Sequence, residues 1–155
     1  MITGVRANND RARDRLLGVK QALQAKGLTL APELIRECRY SSAQASNALT
    51  DLVAAGNTFS AVVCGNDIIA LGALCAARQL DIAVPQALSI TGFDNLEITA
   101  MLSPSLTTIN VPARRMGALA ATYLLNCITN DSRNISHMQL PADILIRETT
   151  GIAKH

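Results

Sequence analysis

An α/β fold with helices on both faces of a parallel sheet is what this sequence predicts, and three observations carry the prediction. Short apolar runs alternate with segments of helical periodicity along most of the chain, the pattern expected of repeated strand–helix units joined by right-handed crossovers. The run Ala61–Cys64 is apolar throughout, as befits a strand covered on both faces. Glycines fall just beyond two of the helical segments, at Gly27 and Gly56, where a left-handed residue ends a helix.

The elements follow in order. Ile2-Thr3 reads as the end of a first strand whose earlier half lies outside this sequence. Asn9 or Asp10 caps a helix reaching about Lys26, with Leu16, Val19 and Leu23 close to one face and Ala12 and Ala22 beside them. Leu34 to Arg39 is a weak strand ending at Tyr40. Ser41 or Ser42 caps a second helix running through Ala55. Ala61–Cys64 is the next strand, Asp67 to Arg78 the third helix, and Val84-Pro85 breaks the chain before another strand at Leu88–Thr91. Pro112 suits the first turn of a fourth helix. Met116, Leu119, Tyr123 and Cys127 follow at helical spacing, with Ala120 and Leu124 widening the stripe. Asn130 to Asn134 is polar and reads as a loop, and Asp143 to Arg147 as a last strand.

At 155 residues the chain suits one domain with a real core. A net charge of +2 is too small to argue for nucleic acid or a membrane surface. The longest apolar runs are short and broken by Gly, Asn or Asp, so no bilayer span is expected. No charged region followed by an apolar core opens the chain, so no secretory signal is read. Cys38, Cys64, Cys75 and Cys127 form no C-x-x-C pair and no metal spacing with His137 or His155. They are expected to be reduced packing residues in a cytoplasmic protein, with neither metal nor cofactor.

The most informative stretch is Leu88 to Ile109. A strand runs into Gly92, an aromatic, and the carboxylate–amide pair Asp94-Asn95, then a loop through Pro104 leads to Leu106-Thr107-Thr108-Ile109. Ligands of open α/β sheets bind where strand ends converge on one crevice. A carboxylate and an amide there accept hydrogen bonds from hydroxyls or NH groups.

These residues resemble the signature of the LacI/GalR family of bacterial transcription regulators. The resemblance extends to Ile2-Thr3-Gly4 with Ala12, Arg15 and Gly18, and to Asn66-Asp67 followed by Ala70, Gly72 and Ala73. Val84-Pro85, Pro104-x-Leu106-Thr107-Thr108 and the closing Ile146-Arg147-Glu148-Thr149-Thr150 complete it. It implies one lobe of a periplasmic-binding-protein-like type I fold. Residues 1–110 would be the second lobe, 111–139 a crossover helix belonging to the other lobe, and 140–150 a strand returning to the second. It further implies that most of the other lobe and the N-terminal helix-turn-helix that binds operator DNA lie outside this sequence. The stripe on the fourth helix is therefore expected to be buried only by a second chain or by an arrangement foreign to the family.

Asp94 leads the candidate site. Its carboxylate takes sugar hydroxyls or a base NH, or it caps the following turn; the resemblance implies effector binding. Asn66 sits between a strand and a helix and serves as ligand group or N-cap; the resemblance implies that Asn66 faces the ligand and Asp67 is the cap. Arg11, Arg13 and Arg15 lie early in a helix, where positive charge opposes the macrodipole. Asp10, Asp14 and solvent suffice for the first two, and Arg15 matches the family's effector-contacting arginine. Tyr40 stacks on a ring or fills the core. Val111 and Ala113 match positions that line the pocket, where they shape it without recognising a polar group. Leu71 and Leu74, with Met101 and Leu102, resemble the family's dimer surface; core packing competes for the two helical leucines, and an apolar Met101-Leu102 loop favours an interface.

The first reading is thus a sensor of a small, sugar-like effector within a homodimeric, operator-binding regulator. The second is a periplasmic sugar-binding protein of a transport system, which needs a signal peptide and no dimer patch. An enzyme is not expected, since no G-x-S-x-G, P-loop or HExxH motif occurs and neither histidine is suggestively placed.

Overall fold

The computed structural model describes residues 1–129 and 137–152. Its elements are β1 (Ile2–Gly4), α1 (Asp10–Gln24), β2 (Arg36–Cys38), α2 (Ser42–Ala54), β3 (Ala61–Val63), α3 (Asp67–Gln79), β4 (Ser89–Thr91), β5 (Thr108–Asn110), α4 (Ala113–Thr129) and β6 (Asp143–Leu145). The strands lie in the order β2-β1-β3-β4-β5-β6. Ladders join β1 to β2, β3 to β4 and β5 to β6, while single bridges, Ile2 to Cys64 and Thr91 to Thr107, join the pairs. Every neighbour is parallel except β6, which runs antiparallel to β5. The order turns back between β1 and β3, the kind of switch point at which helices leave for opposite faces and open a crevice.

Local chemistry fixes the helix limits. Asn9 caps α1 by accepting from Ala12 N at 3.2 Å, and Ser41 caps α2 by accepting from Gln44 N at 3.4 Å. Gly27 (φ +72°) and Gly56 (φ +73°) take the left-handed conformation beyond them. The weak strand expected at Leu34–Arg39 is shorter: Pro32 starts a 3₁₀ turn to Leu34, and pairing begins at Arg36.

The core lies between the sheet and the α2/α3 layer. Leu49, Leu52, Ile69, Ala73 and Ala77 pack there on Ile2, Val62, Ile90 and Leu106, all buried. The two helices approach so closely that a Cβ on Gly72 would lie 2.2 Å from the Ser42 carbonyl oxygen. The opposite face is thinner. α1 buries Ala12 and Leu16 there, while Ile144 and Ile146 remain 60% and 74% exposed.

The segment after β6 completes the sheet. Thr149 is fully buried between β4 and β5, donating its hydroxyl to Ile90 O, accepting from Thr107 N, and receiving Ile90 N on its carbonyl. It replaces ladder bonds the two strands do not make with each other below Thr91 and Thr107, which gives the Thr107 and Thr149 motif positions a physical role.

α4 is formed, yet none of its residues is buried. Met116 is 48% and Tyr123 41% exposed, with Met138 and Leu140 alongside. The stripe expected to be buried only by a second chain or by an arrangement foreign to the family is solvated in the single chain. The polar loop expected at 130–134 lies outside the described residues.

Candidate functional site

The C-terminal ends of β1, β3, β4 and β5 meet around Asp94. Its backbone is unusual: φ is +113° at Asp94 and +55° at Asn95, conformations that cost about 1–3 kcal/mol each and persist only where surroundings hold them. Here they are held closely. Asp94 N donates to Ile109 O at 3.0 Å, and Asn95 N to Thr108 Oγ1 at 3.4 Å. Asn95 Nδ2 donates to Asn110 Oδ1 at 3.0 Å. Arg147 Nη2 donates to Asn95 Oδ1 at 2.8 Å, while its Nη1 reaches Thr99 Oγ1 and Leu106 O, both at 3.0 Å. A guanidinium from the last segment thus braces the loop that presents the carboxylate.

Arg15 approaches Asp94 from α1. Its Nη1 donates to Gly65 O at 2.6 Å, its guanidinium carbon lies 3.8 Å from the Phe93 ring centroid, and its Nη2 is 3.9 Å from Asp94 Oδ1. The Gly65 bond and the ring fix the guanidinium, leaving the ion pair at the edge of contact. Burial pushes the Asp94 carboxyl above its ordinary range, against the pull of Arg15 and, more weakly, Arg11.

The cap that the resemblance implied at Asp67 lies at Asn66 instead. Asn66 caps α3, its Oδ1 accepting from Ile69 N at 3.0 Å. Asp67 is fully buried instead, accepting from Leu96 N at 2.7 Å and from Thr108 Oγ1 at 2.6 Å. A carboxylate buried one residue inside the helix ties α3 to β5 and to the loop after Asp94. Gly92 is required for this, because a Cβ there would come 2.2 Å from Asp67 Oδ1. Capping occupies only the amide oxygen of Asn66.

Tyr40 is exposed at the end of β2. It covers Gly4, where a Cβ would meet its hydroxyl at 2.6 Å, and accepts from Asn9 Nδ2 at 3.2 Å. The half-buried core alternative is therefore not what occurs. Val111 and Ala113 share with Asp94 an open groove of about 640 Å³ that also contains Asn110, Arg114 and Arg115. Asp94, Val111 and Ala113 are thus brought together, with Arg15 in contact with Asp94; Tyr40 and Asn66 line neither that groove nor the Arg15 contact.

Leu71, Leu74 and Leu102 are half-buried along one groove, and Leu74 and Leu102 also pack on the core; Met101 is 70% exposed. All four cysteines are free, but the packing role expected of them is met by burial only at Cys38 and Cys64. Cys75 is exposed, because its position on α3 turns away from α2, and Cys127 is half-buried. Among the described residues no three His, Cys, Asp or Glu side chains converge as a metal site, and no helix is long and apolar enough to cross a membrane.

Sequence reasoning missed Arg147 as a part of the site, and with it the bracing of Asn95. The available signal was an arginine directly after the apolar run Ile144-Leu145-Ile146, where an unpaired guanidinium is costly.

An open parallel sheet that presents a carboxylate, a guanidinium and a helix start around its switch point defines a class: a lobe of an α/β small-molecule receptor. The chain belongs to the periplasmic binding protein-like domain family, whose sequence profile matches residues 1–150. It is 31% identical over 97% of its length to the HTH-type transcriptional repressor PurR of Pectobacterium carotovorum, covering 44% of that protein. It is 35% identical over 89% of its length to the ribose operon repressor of Haemophilus influenzae, covering 42% of it. A putative LacI transcriptional regulator from Bacillus cereus subsp. cytotoxis superposes with a TM-score of 0.90 at 27% identity, over 97% of this chain and 53% of that one. The likeness to LacI-type regulators read from the sequence is borne out, and the chain spans less than half the length of these curated relatives.

Proposed function

We propose that this chain is the effector-sensing lobe of a LacI-type transcriptional regulator, and that its effector is a sugar or sugar derivative held by Asp94 and Arg15. The observation that carries the reading is the Asp94 loop. Two consecutive left-handed residues, braced by Arg147 and by backbone bonds to β5, hold a carboxylate at the crevice beside an immobilised arginine. Strain of that kind is maintained where a side chain must be presented to a partner. In this reading Tyr40, at the end of β2, and Asn66, at the start of α3, are outlying ligand contacts. The intact regulator works as a homodimer through Leu71, Leu74, Met101 and Leu102, reads its operator through a helix-turn-helix outside this chain, and acts in the cytoplasm. The effector shifts the population of the DNA-competent form by binding one form more tightly.

The Pectobacterium and Haemophilus relatives are repressors, which supports this reading over a transport protein and over an enzyme.

The test is thermal stability of the full-length protein against sugars, sugar phosphates and purines, repeated with Asp94→Ala. A ligand present at a hundred times its Kd stabilises the native state by about 2.7 kcal/mol. A shift lost in Asp94→Ala supports the reading. A shift indifferent to that substitution refutes the site.

A further inference from the structure

We propose that the effector is anionic: a sugar-sized molecule whose phosphate or carboxylate is gripped by Arg114 and Arg115, with Arg11 adding to the positive potential at Asp94. This rests on the sensor reading and names the chemistry of its ligand.

The charge around Asp94 is lopsided. Arg114 and Arg115 line the groove that contains Asp94, Asn110 and Val111. Arg11 and Arg15 both act electrostatically on the Asp94 carboxyl. Asp67, the other carboxylate acting on Asp94, is buried with both oxygens occupied by Leu96 N and Thr108 Oγ1. Asp94 already has Arg15 as its neighbour, which leaves Arg11, Arg114 and Arg115 without an ion pair among the described residues. Nearby arginines are treated differently, since Arg6 pairs with Glu37 and Arg13 with Asp10.

The arginines of α4 are not there for the helix. No acidic residue occupies its first turn, so Arg114 and Arg115 both oppose the macrodipole with nothing local to offset them. Unpaired guanidiniums around one crevice repel one another and raise the local concentration of anions. Their planar forks match phosphate and carboxylate oxygens in bidentate fashion. Asp94 is then free to accept from the hydroxyls of the same molecule, while the anionic group stays on the arginine side of the groove.

Isothermal titration of the full-length protein decides the matter, using D-ribose against ribose 5-phosphate, D-glucose against glucose 6-phosphate and gluconate, and hypoxanthine as a neutral base. In low salt the charged member of at least one set binds tenfold or more tighter than its neutral parent. The preference shrinks as salt rises from 0.1 M to 1 M, where the screening length falls from about 10 Å to about 3 Å. Arg114→Gln combined with Arg115→Gln, both exposed in this chain, removes the preference, and Arg11→Gln reduces it. If a neutral sugar or hypoxanthine binds as tightly as any charged compound, the inference falls and the sensor reading stands. A preference that survives the arginine substitutions also overturns it. If none of the compounds binds, both fall.

Discussion

Replacing Arg147 with methionine tests whether the last segment builds the site or merely closes the sheet. The guanidinium makes three hydrogen bonds, to Thr99 Oγ1, Leu106 O and Asn95 Oδ1. A hydrogen bond from a charged donor contributes roughly 1.5–3 kcal/mol when buried. Arg147 is only half-buried, so about 1 kcal/mol per bond is the better figure, and the substitution should cost about 3 kcal/mol. For a domain of this size that lowers Tm by roughly 6–12 °C. The second consequence is specific to position: with Asn95 released, the left-handed pair at Asp94 and Asn95 relaxes toward ordinary φ values and the carboxylate leaves the crevice. Urea unfolding reads the first effect. Hydrogen exchange at the Asn95 amide, compared with that at the core Ile90 amide, reads the second. A double-mutant cycle with Asn95→Ala isolates the shared bond and should return a coupling near 1 kcal/mol. A stability loss below about 1 kcal/mol, or strict additivity of the two substitutions, refutes the brace.

Two glycine substitutions should move stability in opposite directions. Gly72→Ala drives a methyl to 2.2 Å from the Ser42 carbonyl and should cost about 2–3 kcal/mol despite better helix propensity. Gly18→Ala meets nothing within 4 Å in the middle of α1 and should gain about 0.5–1 kcal/mol, both read by thermal melts. Thiol labelling with an aromatic disulfide should modify exposed Cys75 first; Cys64 should stay unmodified until the protein unfolds, because complete burial pushes its thiol far above the ordinary range. Early labelling of Cys64 would place β3 at the surface.

The layered architecture was legible because it rests on local signals. Cap residues and left-handed glycines set the helix limits to within two residues at Asn9, Ser41, Gly27 and Gly56. The wholly apolar Ala61–Cys64 announced a parallel sheet. Long-range polar bonds left no such mark. Nothing within three residues of Asp67 says that its carboxylate will be taken by Thr108 and Leu96; the residues themselves left Asn66 open as the N-cap, and it was the resemblance that moved the cap to Asp67. Arg147 meets Asn95 across 52 positions of sequence. Cys75 shows the same limit in a simpler form. Apolar neighbours in sequence do not determine which side of α3 faces α2, and helix packing is what exposes the thiol.

What these bonds accomplish is to hold Asp94 where it weakens the fold, and that yields the sharpest separation of stability from binding. Burial raises the Asp94 carboxyl from its ordinary value of 3.8, chiefly by desolvation. For an acid with a raised folded-state pKa, the unfolded chain gives up its proton first. The fold therefore carries no penalty below pH 3.8, acquires one as pH rises through the folded-state value, and keeps it at neutrality. Asp94→Asn removes that penalty, and asparagine tolerates positive φ as well as aspartate does. The Arg15 contact it gives up is a 3.9 Å pair with partly exposed partners, worth little. The variant should therefore unfold at the same or a higher temperature than the parent at pH 7, with the difference vanishing as pH falls below 3.8, while any ligand-induced shift is abolished. A residue whose removal stabilises the protein and ends its response is kept for the ligand. If Asp94→Asn instead destabilises the fold at neutral pH, the carboxylate is a structural part of the loop, and the site must be sought elsewhere along the crevice.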